Sequence, residues 1–211
     1  MSAKAPTRVW YVAYASNLSL ERFRYYLRGG AVPGGSRTYP GCRDAADPEE
    51  AAGLCLPGRL VFAGRSTVWG GGMAFHDPGG PGQVAARGYL VTPGQFADVV
   101  AQEVRQPPGG RVALGIEDWL REQDGTPDGW DATVLYDSVT VLGRRNGVPL
   151  VTIARRDVAG MTPVPPAAAY LSWIVTGLRE AHGWETDRID RYLARMPGIE
   201  PRDGDPARVL H

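Results

Sequence analysis

Arg8-Val-Trp-Tyr-Val-Ala-Tyr-Ala-Ser-Asn-Leu18, with the run from Leu20 to Arg28 behind it, is the stretch on which the fold class turns. Aromatic and β-branched residues occupy both alternating faces of Arg8 to Tyr14, which predicts a central strand rather than an edge. Leu20, Phe23 and Leu27 recur at helical spacing, and Gly29-Gly30 ends the pattern. The polar loop Tyr14-Ala15-Ser16-Asn17 therefore sits at a strand-to-helix junction, where backbone N–H groups without partners favour a carboxylate or a phosphate. The plainer use of such residues is as helix caps, through Ser16, Asn17 or Ser19.

Outward from this unit, residues 29–57 are rich in Gly, Pro, Arg and Asp without sustained periodicity, which predicts a long loop excursion sparse in secondary structure. Strand patterns follow at Arg59 to Ala63, Thr67 to Trp69, Met73 to His76 and Val84 to Val91, and their glycine-rich connections read as a meander. Thr92-Pro93 opens a helix reaching about Arg105, with Thr92 as N-cap. A short helical stretch near Ile116 to Gln123 precedes strands at Thr133 to Gly143 and Val148 to Arg155, joined at Asn146-Gly147 in a hairpin signal. Two final helices carry Leu171, Ile174, Val175 and Leu178, then Ile189, Tyr192 and Leu193. Strands in the middle, helices at the ends and no βαβ alternation give an α+β class in one domain over residues 1–211.

Composition narrows the function classes. With 211 residues and 43% hydrophobic content the chain can build a packed core. Lys+Arg 23 against Asp+Glu 23 gives a formal net charge of +0, which argues against nucleic acid and acidic lipid as partners. Every cation but Lys4 is arginine, a bias expected of a GC-rich bacterial genome. Cys42 and Cys55 cannot form a four-ligand metal site, and His76, His182 and His211 are ungrouped, so no metal is expected. The polar start and the absence of a long apolar run predict a cytoplasmic protein without membrane partners. Oligomeric state is not legible. There is no phosphate-cradling glycine motif, and His76-Asp77 with Ser16 lacks the G-x-S-x-G context of a triad.

Glu103 is the second candidate. It lies seven residues after Phe96 and four after Val99, on the apolar stripe of its helix, whereas Asp98 and Gln102 fall elsewhere. A carboxylate held against apolar surface has a raised pKa, as suits a group that accepts and returns a proton near neutrality. The bland alternative is a Glu in a last turn that reaches to water.

Three collinear segments resemble the γ-glutamylcyclotransferase family. Trp10 to Leu18 resembles its Y-G-S-N-L loop, Val68-Trp-Gly-Gly-Gly-Met-Ala74 its W-x-G-G-x-A segment, and Val84 to Glu103 its strand and helix ending in a catalytic glutamate. Pro165-Pro-Ala-Ala-Ala-Tyr170 and the residues after it are similar to the family's closing helices. The resemblance implies a small mixed β-barrel with flanking helices. It also implies a cofactor-free reaction in which a γ-glutamyl amide closes on itself, giving 5-oxoproline and a free amine. Glu103 would then be catalytic, and Tyr14, Ala15, Ser16, Asn17, Trp69, Gly70 and Tyr170 would bind substrate.

An intramolecular ring closure needs mainly a held conformer, with effective molarities of order 10⁵ M or more showing what orientation contributes. Ala15 stands where the family has Gly, and a positive φ there would strain it by about 1 kcal/mol. Gln102-Glu103-Val104-Arg105 lacks the glycine that often follows the family's glutamate. Removal of a γ-glutamyl protecting group in a bacterial biosynthetic pathway is the leading expectation. An amide hydrolase or acyl-transfer enzyme on the same scaffold, and a non-catalytic binding module, are the alternatives.

Overall fold

In the computed structural model, which describes residues 5–122 and 136–199, the first strand is β1 (Val9–Ala13), every residue of it buried. A 3-10 turn, Ser16–Leu18, leads into α1 (Leu20–Arg28), followed by the short strands β2 (Gly30–Ala31) and β3 (Thr38–Tyr39). Then come β4 (Glu50–Pro57), β5 (Arg59–Ala63), β6 (Met73–Asp77) and β7 (Gln83–Val91). The helices α2 (Pro93–Glu103) and α3 (Arg111–Glu122), the hairpin β8 (Ser138–Arg145) and β9 (Val148–Ala154), and α4 (Ala168–His182) and α5 (Thr186–Leu193) complete the order.

The main sheet runs β4-β7-β1-β9-β8, so β1 is central. It pairs antiparallel with β7 and parallel with β9. Its alternating side chains enter two different cores. Val9, Tyr11 and Ala13 pack with Phe23, Leu27, Phe96, Val99 and Ile116 on one face; Val12 and Tyr14 pack with Ile174, Leu178 and Ile189 on the other. Covered on both faces, the strand has no polar side to show, which accounts for its unbroken apolar sequence.

The α+β class with mixed strands and flanking helices stands. Among the described residues, strand pairing gives a five-stranded sheet and two two-stranded ribbons, β2-β3 and β5-β6, rather than one closed circuit. The helix after Thr92 begins with a full capping box, the Thr92 Oγ1 accepting from Gln95 N at 3.1 Å and Gln95 Oε1 from Thr92 N at 3.0 Å. Asn146 and Gly147 both take positive φ, 52° and 79°, as a two-residue hairpin turn requires.

Three expectations are corrected. The loop excursion over 29–57 is interrupted by β4, an outermost strand largely open to solvent on both faces, whose sequence consequently carries no apolar alternation. Thr67 to Trp69 is a turn rather than a strand, its backbone drawn round by Ser66 Oγ, which accepts from Val68 N and Trp69 N at 3.1 Å each. The meander also fails, because β6 pairs with β5 while β7 pairs with β4 and β1. The strand start expected at Thr133, the helix end at Gln123, and His211 lie outside the described residues. Among the described residues no helix is long and apolar enough to cross a membrane.

Candidate functional site

The loop after β1 is built to leave amides free. Leu18 N donates to Ala15 O at 2.9 Å and Ser19 N to Ser16 O at 3.2 Å, and the Ser16 and Asn17 amides have no backbone acceptor among the described residues. Neither Ser16 nor Asn17 caps α1. That work falls to Ser19, whose Oγ accepts from Arg22 N, and to Glu180 of α4, whose Oε2 accepts from Leu20 N at 2.9 Å. The helix dipole therefore meets the Glu180 charge from α4. Behind the turn, the Tyr89 hydroxyl donates to the Asn17 and Leu18 carbonyls at 2.9 and 3.1 Å. Ala15 has φ −121°, outside the left-handed region, so alanine carries no backbone strain here.

Glu103 is the last residue of α2 and follows the buried Phe96, Val99 and Val100 on the same side. Its side chain is half-buried on the wall of a cavity of about 350 Å³, within the ~300–1,000 Å³ range of small-molecule sites. Burial pushes its pKa up; a hydrogen bond from Tyr26 and the charges of Arg22 and Arg37 pull against that, and the balance stays above the ordinary value. Asp98 and Gln102 anchor the chain preceding β4 and α1 instead. Arg43 Nε donates to Asp98 at 3.0 Å, and Gln102 Nε2 donates to Tyr26 O at 3.0 Å. The helix ends in a Schellman turn, with Gln106 N donating to Ala101 O and Arg105 N to Gln102 O. Arg105, at φ 60°, takes the left-handed position that glycine usually fills.

Arg22, which sequence periodicity passes over, is 1% exposed and lines the same cavity. Its guanidinium lies 4.7 Å from the ring centroids of Tyr26 and Tyr39 and 5.6 Å from that of Trp69, and Nη2 donates to the Tyr39 hydroxyl at 2.6 Å. Nε and Nη1 have no hydrogen-bond partner among the described residues. The aromatic box thus fixes against the cavity wall a cation that makes no carboxylate ion pair among the described residues, where low dielectric strengthens its field on Glu103. Asn17 donates to the Tyr11 hydroxyl at 3.1 Å and leaves its own Oδ1 unpartnered among the described residues.

Glu103, Tyr14, Ala15, Ser16, Asn17, Trp69 and Tyr170 all line this one cavity; Gly70 does not. Gly70 turns the chain at φ 87° with open space beside it, while Gly71 and Gly72 let the backbone pass against residues 164–167, where a Cβ would fall 2.4 Å from Ala167 N or 2.0 Å from Val164 O. Trp69 tilts against Tyr170 at 5.6 Å, and the Tyr170 hydroxyl accepts from Ala74 N at 3.2 Å. The triad alternative dissolves, because His76 bonds to Pro57 O at 2.8 Å and Asp77 to Arg59. Cys42 and Cys55 are both free thiols. Among the described residues no group of three His, Cys, Asp or Glu is placed to hold a metal.

No family model matches the sequence. "Histone deacetylase 5" of Arabidopsis thaliana is 30% identical over 207 residues, and the chain spans 31% of that protein's length. Among solved structures, a gamma-glutamyl cyclotransferase superposes with a TM-score of 0.52 at 18% identity, covering 93% of this chain and 90% of that one. An uncharacterized protein from Homo sapiens gives 0.50 at 19% identity, with the same coverage.

Proposed function

We propose that this chain, which has the gamma-glutamyl cyclotransferase-like fold, converts a γ-glutamyl amide into 5-oxoproline and a free amine. The observation that carries this reading is that Glu103 lines the same cavity as Ser16 and Asn17, whose amides have no backbone acceptor among the described residues. The glutamyl α-carboxylate or the developing oxyanion fits the amides, the usual partners of such charge. Glu103 takes a proton from the substrate α-ammonium; the amine nitrogen then forms a bond to the γ-carbonyl carbon. The ring nitrogen, now NH2+, gives its second proton to solvent; collapse of the tetrahedral species re-forms the carbonyl and breaks the bond to the leaving nitrogen, which receives the first proton back from Glu103 and departs as the free amine.

The opposed influences on Glu103 suit both halves of the shuttle. Burial favours the acid that delivers the proton, and Arg22 and Arg37 favour the base that accepts it. The tyrosines on the cavity wall, among them Tyr11, Tyr14 and Tyr170, favour a compact bound conformer, and with it cyclisation over attack by solvent. The residues named need no cofactor, and deprotection of a γ-glutamylated intermediate in a bacterial pathway is the setting we favour.

The test is incubation with a panel of γ-glutamyl amides, with 5-oxoproline and glutamate both measured. The expected product is 5-oxoproline, and Glu103→Gln should lower its rate by about 10²-fold or more. Glutamate as the product would establish hydrolysis instead, and full activity in Glu103→Gln would remove the proton shuttle.

A further inference from the structure

The charge around the cavity is out of proportion to a glutamyl group. Four arginines line it, Arg22, Arg37, Arg65 and Arg105, against the single carboxylate of Glu103, in a chain whose formal net charge is +0. Seven arginines elsewhere are ion-paired with carboxylates, among them Arg43 with Asp98 and Arg87 with Glu180. Among the described residues, none of the four at the cavity has such a pair. Arg22 is sealed behind its aromatic rings, whereas Arg37 is half-buried and Arg65 and Arg105 are exposed, so these three are open to a ligand.

Their placement is organised. Arg105 is held in a left-handed conformation that disfavours long side chains, and its guanidinium donates to Thr67 Oγ1. Thr67 lies in the turn with Trp69, two residues beyond Arg65, so Arg65 and Arg105 both belong to this part of the cavity wall. Arg37 stacks over Tyr39 at 4.7 Å. A glutamyl head group with its α-amine and α-carboxylate is neutral overall and leaves this excess unanswered.

Resting on the cyclotransferase reading, we propose that the leaving amine is dianionic, a phosphate monoester or a dicarboxylate, with its charges held by Arg37, Arg65 and Arg105. Guanidinium forks match both oxyanions in bidentate geometry, and each hydrogen bond to a charged group is strong where water is partly excluded. The positive wall also repels a cationic amine, so it selects by exclusion as well as attraction.

The experiment compares γ-glutamyl amides of propylamine, a diamine, alanine, aspartate and phosphoethanolamine, with kcat/KM read from the released amine and 5-oxoproline. The aspartate and phosphoethanolamine amides should exceed the propylamine amide by about tenfold or more, and the diamine amide should be poorest. Arg65→Gln and Arg105→Gln, checked for folding by thermal melts, should narrow the ratio between dianionic and neutral substrates, chiefly through KM. Amides all cyclised at similar rates, or a preference for the diamine, would overturn the proposal while leaving the cyclotransferase reading intact. Should no amide give 5-oxoproline, calorimetric titration with the same compounds decides the charge question separately: tighter binding of the dianionic amides supports it, and equal binding defeats it.

Discussion

At the scale of single residues, the Glu103 carboxyl group is held in its site against its preference for water, and that has a consequence for stability. Its pKa in the folded chain is raised from 4.5 by burial, so the folded state holds the proton more tightly than the unfolded state. Stability must then fall as pH rises from the unfolded value through the folded one, and stay lowered above it. A glutamine side chain in the same place has no proton to lose. Glu103→Gln should therefore melt at a higher temperature than the wild type at pH 8, with the gap closing as pH falls below 4.5; a gap that is flat or reversed across that range would contradict the burial argument. Buried ionisable groups that cost stability are the expected place for such a gain. Glu103 was visible in the sequence because its spacing from Phe96 and Val99 put a charge on an apolar stripe. Arg22 was not, because the stripe Leu20, Phe23, Leu27 assigns it to the flank. The signal that could have found it is Tyr26 four residues on, the helical neighbour over whose ring the guanidinium stacks.

At the scale of elements, the Ser16–Leu18 turn has α4 packed directly against it. Gly177 makes the approach possible: a Cβ there would fall 2.3 Å from Leu18 Cβ and 2.4 Å from the backbone at Leu18 and Ser19. One turn further along, Glu180 accepts from Ser19 Oγ and Leu20 N, so the same helix supplies both the contact and the cap. Gly177→Ala, favourable for an isolated helix, should here destabilise the protein by about 1–3 kcal/mol through overpacking and displace the amides of the turn. Thermal or denaturant unfolding measures the first effect, and an unchanged midpoint would mean that α4 and the turn are not in the close register described. The apolar face of α4 was readable from Ile174 and Leu178, and Thr92-Pro93 announced α2, since both signals are local. β4 and the Arg105 turn were hidden for the opposite reason. β4 is specified by its ladder to β7 rather than by alternating side chains, and a non-glycine residue in the left-handed position gives no mark in sequence.

At the scale of the whole molecule, the fold is closed by pairings that no local pattern records. Val9 of β1 lies opposite Val91, and Trp10 opposite Leu150, partners 82 and 140 residues away. β1, β7, α2 and the β8–β9 hairpin could be read from local patterns, but these registers could not, which is why the strands after Arg59 looked like a meander. The same long reach has a consequence for cooperativity. A fragment ending at residue 122 would keep β1, β4, β7, α1, α2 and α3 and lose β9, α4 and α5. β1 would then expose one edge, and the face that Val12 and Tyr14 share with Ile174, Leu178 and Ile189 would be open to water. Much of that second core would go with it, together with the helix that shapes the Ser16–Leu18 turn. Residues 1–211 should accordingly unfold in one transition, with calorimetric and van't Hoff enthalpies equal, and the 1–122 fragment should show no cooperative melt. Two resolved transitions, or a fragment that folds alone with its own sharp melt, would divide the chain into units and detach the Ser16–Leu18 turn from the helix packed on it.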